Sequence, residues 1–157
     1  MFPQVNPSKS LSLLLFLGLL VDLGVALPIG LTPKAVFAHQ VEVSGGVAAT
    51  FHLEPNHNPR AGQESRVWFA LTRRGGEIIP LEQCNCQLAV YLKPRSKNDK
   101  PLMQPALAAV SAEHYQGIPG ATLVFPKAGS YELELTGKPK TGTNFPPFQV
   151  SYTVTVR

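Results

Sequence analysis

What most limits the fold of this chain is a period of two that returns in short segments after residue 45, each bounded by turn formers. In VAATFHL (47–53), Val47, Ala49, Phe51 and Leu53 share one face, and Thr50 and His52 take the other. SRVWFALT aligns Val67, Phe69 and Leu71 against Arg66, Trp68 and Thr72, and QLAVYL aligns Leu88, Val90 and Leu92. ATLVF (121–125), YELEL (131–135) and VSYTVTV (150–156) repeat the pattern, the last with Val150, Tyr152, Val154 and Val156 inward. Alternation over four to eight residues marks half-buried strands, and no helical stripe competes with it. EPNHNPRAG, RRGG, KPRSKNDKP, PKAG and GKPKTGTNFPP separate the segments. Fifteen prolines and thirteen glycines suit that punctuation and would break helices.

Six or seven short strands predict an all-β fold, an immunoglobulin-like antiparallel β-sandwich running from about 45 to 157. Phe51, Phe69, Val90, Leu133 and Val154 are expected in its core, and His52, Glu132, Glu134 and Thr153 outside. Tyr131 follows Gly129 by two residues at the start of a strand, which fits either a tyrosine corner or an ordinary core tyrosine. Residues 95–120 lack alternation and are expected to carry a short strand or helical turn while crossing between sheets.

The N-terminus reads as an export signal that precedes the sandwich. Lys9 is followed by the apolar run LSLLLFLGLLV (11–21), and KAVFAHQVE places Val36 and Ala38 at the −3 and −1 positions of a cleavage site. The expected division is therefore a signal peptide over 1–38 and one domain over 39–157, with His39 as the new first residue. An uncleaved anchor is the rival reading, and Asp22 and LPIGLTP oppose it. The destination is the periplasm or another extracytoplasmic compartment. The formal net charge of +4 is scattered. KPRSKNDK (93–100) also holds Asp99 and reads as a solvated loop, so no nucleic-acid partner is expected. A membrane would be met only through an uncleaved signal segment.

The run EPNHNPRAGQESRVWFALTRRGGEIIP, with VFPKAGSYELELTG downstream, resembles the YtkA-like exported sandwiches. More loosely it is similar to CopC-type periplasmic copper carriers. The resemblance covers roughly 45–157 and implies an immunoglobulin-like core and copper handling outside the cytoplasm. CopC-type proteins bind Cu(II) through an N-terminal His and an Asp-x-His pair. His39 matches the first, whereas FQVSYTVTVR carries no Asp-x-His.

The two cysteines of the chain, Cys84 and Cys86, lie in EQCNCQ. Strand parity turns both sulfurs inward, so three readings stand: a disulfide, two small core thiols, or soft ligands for Cu(I) or Zn(II). Residues i and i+2 of an extended strand are about 6.5–7 Å apart. A bond is thus expected to need a turn at Asn85, a residue type that tolerates the left-handed region. Histidines supply the other donors. His39 would offer an α-amine and an imidazole, and His52 and His57 flank a turn. Met103 and His114 lie in the long connection. Imidazole suits copper and zinc.

No G-x-S-x-G motif or phosphate-binding glycine loop is present, and Glu132 and Glu134 read as a solvated strand face, so no enzyme is expected. The expected function is metal binding or delivery, with copper as the metal. The alternative is a metal-free accessory domain that docks another envelope protein through an outward face containing Trp68 and Tyr91.

Overall fold

Where the alternation is regular, strands form with the expected faces. The computed structural model describes residues 40–157. The signal segment expected over 1–38, and His39, lie outside the described residues. The strands are β1 (Gln40–Ser44), β2 (Val47–Glu54), β3 (Glu64–Arg73), β4 (Cys84–Leu92), β5 (Ala108–Ala112), β6 (Tyr115–Val124), β7 (Gly129–Pro139) and β8 (Phe148–Val156). One 3-10 turn, Leu81–Gln83, leads into β4.

Two antiparallel sheets result, ordered β1-β2-β3-β6-β5 and β4-β7-β8. With β1 set aside, these are the A-B-E-D and C-F-G sheets of the constant-type immunoglobulin sandwich. The tyrosine corner is present as well. Tyr131, third residue of strand F (β7), is fully buried and its hydroxyl donates to the Lys127 carbonyl at 2.8 Å. The bond ties the turn before the strand to its first inward side chain.

One core fills the space between the sheets. Phe51, Phe69, Val90, Leu133 and Val154 all belong to it. β8 alternates without a fault, burying Phe148, Val150, Tyr152, Val154 and Val156 and exposing the residues between them. Tyr152 crosses the sandwich: its hydroxyl donates to the Ala49 carbonyl at 2.6 Å, and its ring stacks on Phe51 at 4.6 Å. Burying a hydroxyl without a partner costs roughly 1–3 kcal/mol, so this bond lets a phenol sit where apolar packing is needed.

Three expectations about extent and exposure need correction. β1 (Gln40–Ser44) is a strand that the alternation does not announce. The long connection carries a short strand, β5, and crosses from one sheet to the other as expected, but the strand read from residue 121 starts at Tyr115, its alternation hidden by Gly117, Pro119 and Gly120. Pro119 is tolerated because it faces Ala109 of β5, while the pairing with β3 starts only at Gly120. Trp68, read as outward, is 2% exposed. It does lie on the outer face of β3, but the β5–β6 hairpin covers it with Ile118, Val110, Ala112 and Tyr115.

Candidate functional site

Asn56 and His57 both adopt left-handed backbone angles, φ 51° and 53°, in the turn after β2. Asn and His are among the non-glycine residues that enter this region most readily. The turn reverses the chain: the His57 N–H donates to the Leu53 carbonyl at 2.8 Å. The His57 ring thereby lies against β2, 5.8 Å from Phe51 and 4.6 Å from His52, edge-on to both. His52 in turn stacks on Trp68, with ring centres 4.7 Å apart and planes 15° off parallel. Expected in solvent, His52 is half-buried because Trp68 and His57 cover it. Tyr115 continues the line 6.0 Å from Trp68, and the exposed His114 stacks 3.9 Å from Tyr115.

Cys84 and Cys86 form a disulfide with Cα atoms 5.2 Å apart. The expected left-handed turn at Asn85 is absent, since the described non-glycine residues with positive φ are Asn56, His57 and Glu113. The strand instead contracts enough for bonding while keeping its register, Cys84 opposite Pro139 and Cys86 opposite Gly137. Cys84 is buried and Cys86 half-buried. Gly137 makes the room: a Cβ there would lie 2.4 Å from the Phe148 ring and 2.9 Å from the Cys84 sulfur. Closing so small a loop contributes only about 1–2 kcal/mol on the chain-entropy relation. The reading of Cys84 and Cys86 as thiolate metal ligands does not hold for this oxidised pair, because both sulfurs are bonded to each other.

Met103, also read as a ligand, packs against the main core, and its backbone pairs with Val90. The structure therefore divides the expected donor set. It brings His52 and His57 together, places His114 along the ring line, and holds the cysteines and Met103 in core packing. Among the described residues there is no group of three or more His, Cys, Asp or Glu side chains placed to hold a metal ion.

A feature the sequence reading missed lies on the outer face of the three-stranded sheet. Arg95, placed in a solvated loop by its sequence, folds back over Glu132 and Glu134. Its Nε donates to Glu132 at 2.9 Å and its Nη2 to both Glu132 and Glu134, the latter at 2.8 Å. The guanidinium lies 3.8 Å above the Tyr91 ring. Gln149 donates to the same Glu134 oxygen at 3.0 Å. All three charged side chains are under one-fifth exposed. The hydrogen bond to Glu132 is the main cause that raises the Arg95 pKa. Trp68 and Tyr91 thus lie on different sheets, each covered by another side chain, and do not form one docking face.

No family model matches the chain, and no curated protein matches it. Two solved structures do. FetP of uropathogenic Escherichia coli strain F11, recombinantly expressed in the periplasm of E. coli BL21(DE3), aligns with a TM-score of 0.52 at 15% identity. That alignment covers 75% of this chain and 93% of FetP. A DUF4426 family protein from Pseudomonas aeruginosa PAO1 aligns with a TM-score of 0.49 at 10% identity, over 74% of this chain and 94% of its own. The likeness to FetP is one of fold, a small β-sandwich.

Proposed function

We propose that this is an exported sandwich protein that takes up a copper ion, with His52 and His57 as paired imidazole ligands. The observation that carries the reading is their spacing. A metal–nitrogen bond of about 2.0–2.1 Å plus roughly 1.1 Å from nitrogen to ring centre puts each centroid about 3.2 Å from a bound ion. Two such rings bound to one ion with a nitrogen–metal–nitrogen angle of about 90° have centroids about 4.5 Å apart, against 4.6 Å between these two rings. Square-planar Cu(II) uses such cis nitrogen pairs, and water can fill the remaining positions. Export is supported by the N-terminal signal pattern and by a disulfide, which persists in oxidising compartments.

Trp68 is the only tryptophan and stacks on His52, so its fluorescence reports events at that ring. Titration of the purified domain with Cu(II) should quench Trp68 at one equivalent, with two nitrogen ligands in the electron paramagnetic resonance spectrum. His52→Gln and His57→Gln should each weaken binding by at least about tenfold. If the double variant binds copper as the parent does, His52 and His57 are not the ligands.

The second reading, a metal-free accessory domain that docks another envelope protein, is favoured by β1. This edge strand leaves Val41 54% and Val43 68% exposed on one face. No Cu(II)-dependent quenching at all would move the conclusion to that reading.

A further inference from the structure

We propose that the Cys84–Cys86 disulfide is a thiol–disulfide exchange site for an extended protein segment carrying a dithiol, which docks as an added strand on the open edge of β4. The proposal does not rest on the copper reading. A disulfide used as a staple joins distant parts of a chain, and its effect grows with the loop that it closes. This one joins residues two apart in one strand, already held by the ladder to β7. Breaking it removes little from the fold, so the bond is free to be made and unmade.

Burial makes the pair asymmetric. Cys84 is 1% exposed and Cys86 is half-buried. Cys86, packed at the margin of the core, is therefore the more approachable residue of the two, while the core shields Cys84. Exchange requires access to one sulfur of the bond and a second thiol to resolve the mixed disulfide, which the partner's dithiol supplies.

The edge is the second and independent observation. β4 is the outermost strand of its sheet. Val90 shows which backbone groups face outward: its N–H donates to Met103 at 2.8 Å and its carbonyl accepts from Leu102 at 2.7 Å. By strand parity, the backbone groups of Cys86 and Leu88 face the same way. The 102–103 segment covers the edge at Val90 and the Cys84 N–H donates to the Leu81 carbonyl, so the stretch of edge beside which no described strand pairs is 86–88. Exposed edges are commonly blunted by Lys, Pro or a bulge. Here the exposed side chains are the neutral Asn85 and Gln87, and the register of β4 with β7 is unbroken. An added strand would place its inward side chains beside Cys86, and main-chain bonds would supply affinity without demanding a particular sequence.

The reaction balances with the partner dithiol as reductant. The partner's first thiolate attacks the Cys86 sulfur, the S–S bond breaks, and Cys84 leaves with the electron pair and takes a proton. The partner's second thiolate then attacks the partner sulfur of the mixed disulfide and expels Cys86 as a thiolate. Two electrons and two protons pass to this protein, and the partner is left with a disulfide.

The test uses the oxidised protein in native buffer and three probes at equal thiolate concentration. These are reduced glutathione, a synthetic Thr/Val-rich peptide with two cysteines two residues apart, and the same peptide N-methylated on its pairing amides. Alkylation and mass spectrometry follow Cys84–Cys86. The dithiol peptide should reduce the bond about tenfold faster than its N-methylated form, the factor that one or two net hydrogen bonds carry. Oxidised glutathione should modify Cys86 in Cys84→Ser about tenfold faster than Cys84 in Cys86→Ser, and the reduced parent should keep its circular dichroism spectrum. Equal rates for the two peptides overturn edge docking. A bond that resists every probe until denaturant is added overturns exchange.

Discussion

Gly137→Ala isolates the packing that allows a disulfide inside a paired strand. Gly137 has no left-handed backbone, so alanine meets no conformational strain there, and any cost must come from crowding. The added Cβ would lie 2.4 and 2.5 Å from two carbons of the Phe148 ring and 2.9 Å from the Cys84 sulfur. Phe148 is 5% exposed and packs 6.2 Å from Phe145, so its ring has little room to swing away. Overpacking of this kind costs about 1–3 kcal/mol, and the lower chain entropy of alanine in the unfolded state returns roughly 0.4–1. The expected net loss is about 1–2 kcal/mol, or roughly 4–8 °C in Tm for a domain of this size. Urea unfolding at fixed m-value measures it. Gly137→Ala with Phe148→Leu should cost less than the sum of the two single changes, because the shorter side chain vacates the contact. An unchanged or raised midpoint for Gly137→Ala would mean that the sulfur and the ring do not compete for this space.

Tyr152 supplies a pH dependence. Burial, with a smaller contribution from the Glu42 carboxylate, raises its pKa well above the usual phenol value. The neutral form is therefore favoured by the fold. Its stability is fully present below about pH 10 and falls as pH rises toward the folded value, because the unfolded chain loses the proton first. Thermal melts from pH 8 to 11.5 should show this fall, and Tyr152→Phe should flatten it while lowering stability at neutral pH by removing the hydrogen bond to the Ala49 carbonyl. Arg95→Gln leaves Glu132 and Glu134 facing one another two residues apart on β7. Its destabilisation should shrink in 1 M salt, where the Debye length is about 3 Å, and a loss independent of salt would contradict the ion-pair account.

The parts of this molecule that were legible in advance are those in which each residue is decided by its own strand. The inward set of β2, β3, β4, β7 and β8 follows from parity alone, and the core contains the residues that parity names. Trp68 shows where this stops. Its side of the strand was right, but its burial depends on a hairpin formed some fifty residues later, whose own alternation is masked by Gly117, Pro119 and Gly120. Arg95 is similar. Nothing near it in sequence distinguishes it from Lys97 or Lys100, and only the return of the loop to β7 selects it. His57 reaches His52 through two successive left-handed residues, neither of them glycine. The disulfide is one of the three arrangements the sequence leaves open, but the turn expected at Asn85 is absent because the strand itself contracts. The strand contracts locally to 5.2 Å between the two Cα atoms, well short of extended spacing, and Gly137 opposite leaves room for the sulfur.

These departures share a physical consequence. An immunoglobulin sandwich ordinarily leaves its outer faces to water, yet here the long connection after β4 covers parts of both. Arg95 lies across β7 at its start, and the β5–β6 hairpin lies over Trp68 at its end. The chemistry that remains accessible is displaced to the turn after β2 and to the edges of the sheets. His52 and His57 occupy the first, on the five-stranded sheet, and Cys86 the second, on the other. The two sites share no side chain, so the variants at each should combine additively in stability. Copper titration of the cysteine variants, and peptide reduction of the histidine variants, should each give the parent result. A change in copper affinity on reducing Cys84–Cys86 would instead show that the sheets communicate, through the core that Cys84 and Phe51 both enter.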